Sequence, residues 1–337
     1  MIVVTGASGH VGNNLIRELN RRGIKPRALI HREESADKSL KGLDFEPVKG
    51  DVTNLESMVE AFKGARLVYH CAAWISITPG MYKKLKTVNV DGTLNVLEAC
   101  RKNNVKKIVY VSSIEALGDP GDGVLATEKM GFNPDKAMLE YGVTKAEAAL
   151  LVQEAVKNGM DIVTVCPVGI IGPHDYKPSQ MGNMMLDFYR KKLPAYPNYG
   201  GFDWVDVRDV VEGIILAGKK GKSGEAYLLT NGHTTSKEMM KILEKTTGGK
   251  MPKIALPYWL LSTAGFFAEF FYKATGKEAV ITRDSAKILK SNLCASSEKA
   301  KRELGYNPRP LEESFKDHFE WLVDYYCNGG KKDGKKM

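Results

Sequence analysis

Short runs rich in Val, Ile and Leu alternate, through the first half of the chain, with longer stretches whose apolar residues recur every three or four positions. A strand covered on both faces reads as a continuous apolar run, and a helix crossing over it needs only one apolar stripe. The runs predict strands at Ile2–Val4, Arg27–Ile30, Phe45–Val48, Leu67–His70, Ile108–Ser112 and Ile162–Cys166. Val11, Leu15 and Leu19 form the stripe of a first helix, and further helices are expected over Leu55–Phe62, Val90–Lys102 and Glu140–Lys157. Strand and helix in strict alternation imply stacked right-handed βαβ units and an α/β fold with a doubly wound parallel sheet.

Beyond Pro167 the alternation stops. Pro173, Pro178, Pro194 and Pro197 break the chain, and one more strand is expected at Ala226–Leu229. The most apolar stretch runs from Tyr258 to Tyr272 and carries Trp259, Phe266, Phe267, Phe270, Phe271 and Tyr272. It is too short to span a bilayer and contains Glu269, so no integral membrane segment is expected. A buried helix or a lid over an apolar ligand is favoured over contact with a membrane surface.

Composition narrows this only a little. Apolar residues at 43% and charged residues at 26% are ordinary for a globular enzyme. The formal net charge is +9, but Lys331, Lys332, Lys335 and Lys336 lie in a lysine-rich end, 328–337, read as a disordered basic tail. No motif accompanies the remaining charge, so nucleic acid is not an expected partner. Cys71, Cys100, Cys166, Cys294 and Cys327 form no Cys-x-x-Cys pair, and His10, His70, His174 and His233 lack metal-ligand spacing, so no metal is expected. With a strand starting directly after Met1, a cytoplasmic protein is expected.

The first loop carries more information. Thr5-Gly6-Ala7-Ser8-Gly9-His10-Val11-Gly12 leaves the first strand and opens the first helix, the context of a dinucleotide fingerprint. Gly6 permits the tight turn, Gly9 lets backbone approach a pyrophosphate, and Gly12 allows close helix packing, while the helix start offers free N–H groups and a positive dipole. The second strand ends Leu29-Ile30-His31-Arg32, without the acid that binds the adenosine ribose of NAD. Arg32, with His31 and Lys38, is a candidate for the 2′-phosphate of NADP, NAD remaining possible. Asp51, followed by Val52, is read as a contact to the adenine amino group or as a helix cap.

Tyr141 and Lys145 stand four apart on one face of a predicted helix, and Ser112-Ser113 end the strand before it. That is where open α/β sheets place their ligands. Together with Tyr69-His70-Cys71-Ala72-Ala73, Val88-Asn89-Val90-Asp91-Gly92-Thr93 and Trp204-Val205-Asp206-Val207-Arg208-Asp209, these pieces make the chain resemble, over nearly its whole length, the extended short-chain dehydrogenase/reductases of the epimerase/dehydratase superfamily.

The resemblance implies a Rossmann-type doubly wound sheet with a smaller C-terminal α/β substrate lobe. Residues 1–167 would bind the dinucleotide, with about 200–235 returning to that domain, and 168–327 would mainly bind substrate. Tyr141 would be the general acid or base, Lys145 would hold the nicotinamide ribose and lower the phenol pKa, and Ser113 would bind the substrate oxygen. Asn89 would hold neighbouring backbone, and Ala72, Ala73, Pro167 and Val168 would line the cofactor. A homodimer through the Tyr-Lys helix and Val90–Lys102 is implied too.

Ser112-Ser113-Ile114-Glu115-Ala116-Leu117-Gly118 is similar to the corresponding stretch of 3β-hydroxysteroid dehydrogenases, and the layout to dihydroflavonol and cinnamoyl-CoA reductases. The expected reaction is therefore interconversion of a carbonyl and a secondary alcohol on an apolar small molecule, with Trp74, Ile75 and Ile77 near it. Two alternatives stay open. A nucleotide-sugar epimerase or dehydratase would need a diphosphate anchor, for which Arg190, Lys191, Lys192 and Arg208 are candidates, and a non-catalytic NADP-binding redox sensor would have no use for Tyr141.

Overall fold

The computed structural model describes residues 1–31, 38–121, 123–265, 290 and 293–329. In its first part the apolar runs become β1 (Ile2–Thr5), β2 (Arg27–Ile30), β3 (Glu46–Lys49), β4 (Leu67–His70), β5 (Lys107–Val111) and β6 (Ile162–Pro167). Helices α1 (His10–Arg21), α2 (Leu55–Ala61), α3 (Gly92–Lys102) and α4 (Glu140–Lys157) connect them. The chain then forms β7 (Gly169–Ile171), α5 (Gln180–Tyr189), β8 (Gly201–Asp206), α6 (Val207–Lys220), β9 (Ala226–Leu229), β10 (His233–Thr235), α7 (Ser236–Thr247) and α8 (Leu311–Tyr326).

The central sheet has seven strands in the order β9-β6-β5-β4-β1-β2-β3, every pair parallel. Strand order reverses between β1 and β4, which creates a crevice beyond their C-terminal ends. On one face Leu15, Ile16 and Leu19 of α1 pack with Val210, Val211 and Ile214 of α6. On the other, Met58 of α2, Val96 and Cys100 of α3, and Ala148 and Val152 of α4 do the same. Each large apolar side chain taken wholly from water contributes about 1.5–3 kcal/mol before entropy is counted.

Several predicted edges moved, some of them for physical reasons. β3 runs one residue later than expected because its parallel register sets Arg27 opposite Glu46 and Ile30 opposite Lys49. β5 ends at Val111, although the Ser112 amide still donates to Val165 O at 2.8 Å. The helix expected from Val90 begins at Gly92, preceded by a wide π-turn over Thr87–Asp91. Such an inserted residue swings one side chain off the regular helical track, here that of Asn89.

The second lobe is built on a three-stranded sheet in which β8 pairs parallel with β7 and antiparallel with β10. Its apolar centre joins Met185 and Phe188 of α5, Met240 and Leu243 of α7, and Phe315, Phe319 and Leu322 of α8. Between β8 and β10 the chain returns to the first lobe, where α6 covers the sheet and β9 pairs with β6. Trp259 is 66% exposed. Phe266, Phe267, Glu269, Phe270, Phe271, Tyr272 and the tail from 330 onwards lie outside the described residues. Among the described residues no helix is long and apolar enough to cross a membrane.

Candidate active site

The glycine-rich loop leaves β1 at the switch point. Gly6 has φ +65°, and a Cβ there would lie 2.7 Å from the Ala72 backbone, so the turn requires glycine on both counts. A Cβ on Gly12 would lie 2.1 Å from Gly6 O, which shows how closely α1 approaches the loop. Gly9 caps α1 with no side-chain hydrogen bond, leaving the first-turn amides available, and it is exposed. Ser8 and Val11 flank it, both partly buried. The loop is braced from β4: Thr5 Oγ1 lies 2.7 Å from His70 Nδ1 and accepts from the Ala72 amide at 3.2 Å. His70 also reaches Thr93 Oγ1 at 3.1 Å, and burial, with Lys145 nearby, drives its pKa down to about 3.

His10 departs from the expected cofactor contact at its side chain. Its Nε2–H points to Gly172 O at 3.2 Å and Pro173 O at 3.0 Å, towards the second lobe. Two buried neighbours act with it, the Asn13 amide donating to His174 O at 3.2 Å and the Asn14 amide to Pro173 O at 3.1 Å. A helix N-terminus whose polar side chains all turn to one loop fixes the angle between that loop and the glycine turn. The sequence reading overlooked Asn13 and Asn14, since asparagine inside a helix stripe reads as surface.

On the adenosine side, His31 Nε2 lies 3.2 Å from Asp51 Oδ2, and Arg32 lies outside the described residues. Asp51 Oδ1 accepts from the Thr53 amide at 2.9 Å. The cap of α2 is instead Asn54, which accepts from Ser57 N, so the capping alternative for Asp51 fails. The Val52 carbonyl is held by the Asn95 amide at 2.9 Å. Lys38 is exposed.

Ser113, Tyr141 and Lys145 converge beyond the end of β5. Ser113 caps the 3-10 turn Ile114–Leu117, its hydroxyl accepting from Glu115 N at 3.2 Å. Burial pushes the phenol pKa well above the ordinary tyrosine value, the Glu115 carboxylate pushes it further, and the Ser113 hydroxyl pulls it back. Lys145 is 1% exposed; its Nζ donates to Val111 O at 2.8 Å and sits 4.7 Å from the Tyr110 ring centre. Burial brings its pKa down to about 8, against the opposite pull of the Cys166 and Cys71 thiols.

Asn89 holds the wall opposite. Its side chain accepts from Trp74 N at 2.8 Å and donates to Trp74 O at 3.0 Å and to Thr144 Oγ1 at 3.1 Å. The loop after β4, with Ala72 partly buried and Ala73 exposed, is thus tied to the helix that carries Tyr141 and Lys145. Glu140 adds to the tie by accepting from the Gly80 and Met81 amides. On the far side Pro167 ends β6 opposite Leu229, and Val168 is buried beside it.

Two features of the second lobe bear on the alternatives. Arg208 is bound at 2.7 Å to both Asp206 and Asp317, so it is already neutralised and unsuited to anchor a diphosphate. Asp203, His233 and Cys294, far apart in sequence, bring their ligand atoms within 4.8 Å of one another, a cluster that spacing did not reveal. Asp203 is fully satisfied there by His233, Thr230 and the Ala295 amide, as befits a structural network.

The profile of the NAD dependent epimerase/dehydratase family matches residues 2–230, which contain the whole glycine loop and the Ser-Tyr-Lys set. The chain belongs to this family. It is 35% identical over 326 residues to sterol demethylase protein B of Methylococcus capsulatus, covering 95% of this chain and 97% of that one. It is 30% identical to the decarboxylating sterol-4-alpha-carboxylate 3-dehydrogenase of Saccharomyces cerevisiae, covering 95% and 97%. The fold is shared with UDP-glucuronic acid 4-epimerase from Bacillus cereus, at a TM-score of 0.78 and 19% identity over 96% of this chain and 99% of that one. As a member of the extended short-chain dehydrogenase/reductases, the chain is an NAD(P)-dependent oxidoreductase on a Rossmann-type fold.

Proposed function

We propose that this enzyme interconverts a carbonyl and a secondary alcohol on an apolar, sterol- or flavonoid-like small molecule, with NADP as its redox partner. The observation that carries the reading is the placement of Ser113 at the end of β5, against the helix whose first turns carry Tyr141 and buried Lys145. The residues present fit a dinucleotide: Gly6 and Gly12 let the loop, α1 and the Ala72 backbone close on one another more tightly than any Cβ allows, and the uncapped start of α1 offers amides to a pyrophosphate. Ser8, Gly9 and Val11 would form the rest of that cradle, with Ala72, Ala73, Pro167 and Val168 further along. When bound, the nicotinamide supplies or takes up a hydride.

Everything else falls to the chain's own residues. Ser113 and Tyr141 donate hydrogen bonds to the substrate oxygen, and Tyr141 gives its proton as that oxygen becomes an alkoxide. Lys145, held on Val111 O, is placed to take a ribose hydroxyl. Support for an apolar substrate comes from the sterol named for both relatives and from Trp74 and exposed Ile75 beside the site. Support for NADP is the end of β2, where His31 and Arg32 stand in place of an acid. Leu94 on α3 and Leu150 on α4, 52% and 41% exposed, support a homodimer through these two helices. Cys71, Cys100, Cys166 and Cys327, none of them in a disulfide, support a reducing, cytoplasmic setting.

The test is NADPH and NADH consumption with a panel of steroid, flavonoid and aromatic carbonyls. Turnover that prefers NADPH and disappears in Tyr141→Phe is expected. Absence of turnover on the whole panel, with UDP-sugar epimerisation instead, overturns the reading.

A further inference from the structure

The second lobe carries a basic surface for which the chemistry of the cleft has no use. Helix α5 ends in Tyr189-Arg190-Lys191-Lys192, where Lys191 takes φ +56° and the Lys192 amide turns back to Asp187 O at 2.8 Å. Gly249 packs on the last turn of this helix, because a Cβ there would run into the Phe188 ring, and it carries Lys250 with it. A strand Ile254–Leu256 then pairs in parallel with Ala195–Pro197, setting Ile254 opposite Ala195 and so bringing Lys253 to the same end of the lobe. All five cations are exposed, and among the described residues none of them pairs with a carboxylate. The stretches 187–192 and 249–254 contain a single acid, Asp187, and Glu244 of α7 is held by the Met251 amide at 3.1 Å. A helix C-terminus attracts cations, which accounts for Arg190 but not for Lys250 and Lys253 on a separate segment.

The strand pair also has an apolar outer face. Tyr196 is buried in the centre of the lobe with Met240 and Leu243 of α7. Side chains alternate along a strand, so Ala195 and Pro197, with Ile254 and Leu256 opposite them, lie on the face away from α7. Ile254 is 58% exposed, and just beyond the strand Trp259 and Leu260 are exposed at 66% and 38%. Large apolar side chains gathered in water beside unpaired cations fit a partner that is apolar and anionic together.

We propose that this face docks on an anionic phospholipid bilayer, with Arg190, Lys191, Lys192, Lys250 and Lys253 on the headgroup phosphates and Ile254, Trp259 and Leu260 at the edge of the acyl region. Such a surface lies in the interface without spanning it, held by apolar area and by attraction to anionic lipid, and tryptophan is favoured at that depth. A nucleic acid would satisfy the cations but leave Ile254 and Leu260 in water. A carbonyl compound of the apolar class proposed above would dissolve in the same bilayer, but the docking surface stands on its own residues.

The test is co-sedimentation of the full chain with vesicles of phosphatidylcholine alone and of phosphatidylcholine with about one-third phosphatidylglycerol. Binding only to the second, weakened by added salt, is expected. Arg190→Gln, Lys191→Gln and Lys192→Gln combined should lower the partition coefficient roughly a hundredfold, at about fivefold for each cation near such a surface. Lys250→Gln with Lys253→Gln, on the other segment, should lower it roughly twentyfold. Ile254→Ser with Trp259→Ser should lower it roughly tenfold or more at any salt concentration. These positions are exposed, so thermal midpoints should not move. A brominated lipid should quench wild-type tryptophan emission, and Trp259→Phe should lose most of that quenching. Absence of binding to the anionic vesicles overturns the proposal. So does binding that the triple variant retains, above all if replacing Lys331, Lys332, Lys335 and Lys336 by Gln abolishes it. Affinity for polyglutamate or an RNA duplex that matches the vesicles and survives Ile254→Ser with Trp259→Ser would assign the cations to a water-borne polyanion instead. None of these measurements uses substrate or cofactor, so the reading of the catalytic site stands or falls separately.

Discussion

Asn89 and Trp74 are bound to each other twice, the Asn89 side chain accepting from the Trp74 amide at 2.8 Å and donating to the Trp74 carbonyl at 3.0 Å. A third bond, to Thr144 Oγ1, carries this clamp on to the helix of Tyr141 and Lys145. Asn89 is 1% exposed, so its amide has no water to replace these partners. Both walls of the cleft therefore move together, and the π-turn that aims Asn89 inward is part of the site.

Removing the clamp should be costly even where no ligand is bound. Asn89→Ala takes the partner from the Trp74 amide and carbonyl, while the Thr144 hydroxyl keeps its bond to Tyr141 O, and roughly 1–3 kcal/mol is expected for each buried group left unsatisfied. Asn89→Asp keeps the acceptor for Trp74 N but sets an oxygen against Trp74 O, so it should recover only part of the loss. The midpoints of urea unfolding decide this, and equal midpoints for all three proteins would refute the clamp.

Gly12→Ala tests the cradle separately from catalysis. The added methyl would sit 2.1 Å from Gly6 O, so the loop or α1 must move. Overpacking of this kind costs about 1–3 kcal/mol. The shift should also weaken dinucleotide binding, measured by NADPH fluorescence. Unchanged affinity would mean the pyrophosphate sits elsewhere.

Lys145 couples folding to pH. Its pKa falls from the ordinary 10.5 to about 8 on burial, so the unfolded chain binds more protons between these values. Wild-type stability contributed by this group must then rise as pH climbs from 8 towards 10.5. Lys145→Met has no such term. The stability of Lys145→Met relative to wild type should therefore decline over that range in paired thermal melts, and a difference constant in pH would contradict the burial of the ammonium group.

The sheet was legible because its signals are local. Apolar runs placed the six early strands to within a residue, and Ala226–Leu229 was read as it stands, since strands covered on both faces admit little else. Gly6, Gly12, Tyr141 and Lys145 were legible because each must occupy a set offset from a strand or helix. What escaped depends on pairs remote in sequence. Nothing near His10 announces that its ring turns to Gly172 and Pro173, and nothing near Glu115 announces that its backbone packs on Gly142. The Asp203, His233 and Cys294 cluster is likewise a product of β8, β10 and a distant segment meeting.

The same reasoning applies to the joint between the lobes. Asp206 is fully buried at the start of α6, its carboxylate accepting from the Arg208 amide at 2.8 Å and from its guanidinium at 2.9 and 2.7 Å, while Arg208 also reaches Asp317 on α8. Burial works to raise the Asp206 pKa, and Arg208 more than offsets it, so the folded value lies below the ordinary one. Its stabilising contribution is present above the unfolded carboxylate pKa and is lost as pH falls through the folded value. Arg208→Ala leaves the buried carboxylate only the more distant Arg309, 3.9 Å away, and should cost about 3 kcal/mol at pH 7. At pH 4 the variant's Asp206 can take up a proton instead, so the gap to wild type should narrow. A gap that widens towards acid pH would show that Arg208 acts through packing on α8 and not through the charge of Asp206.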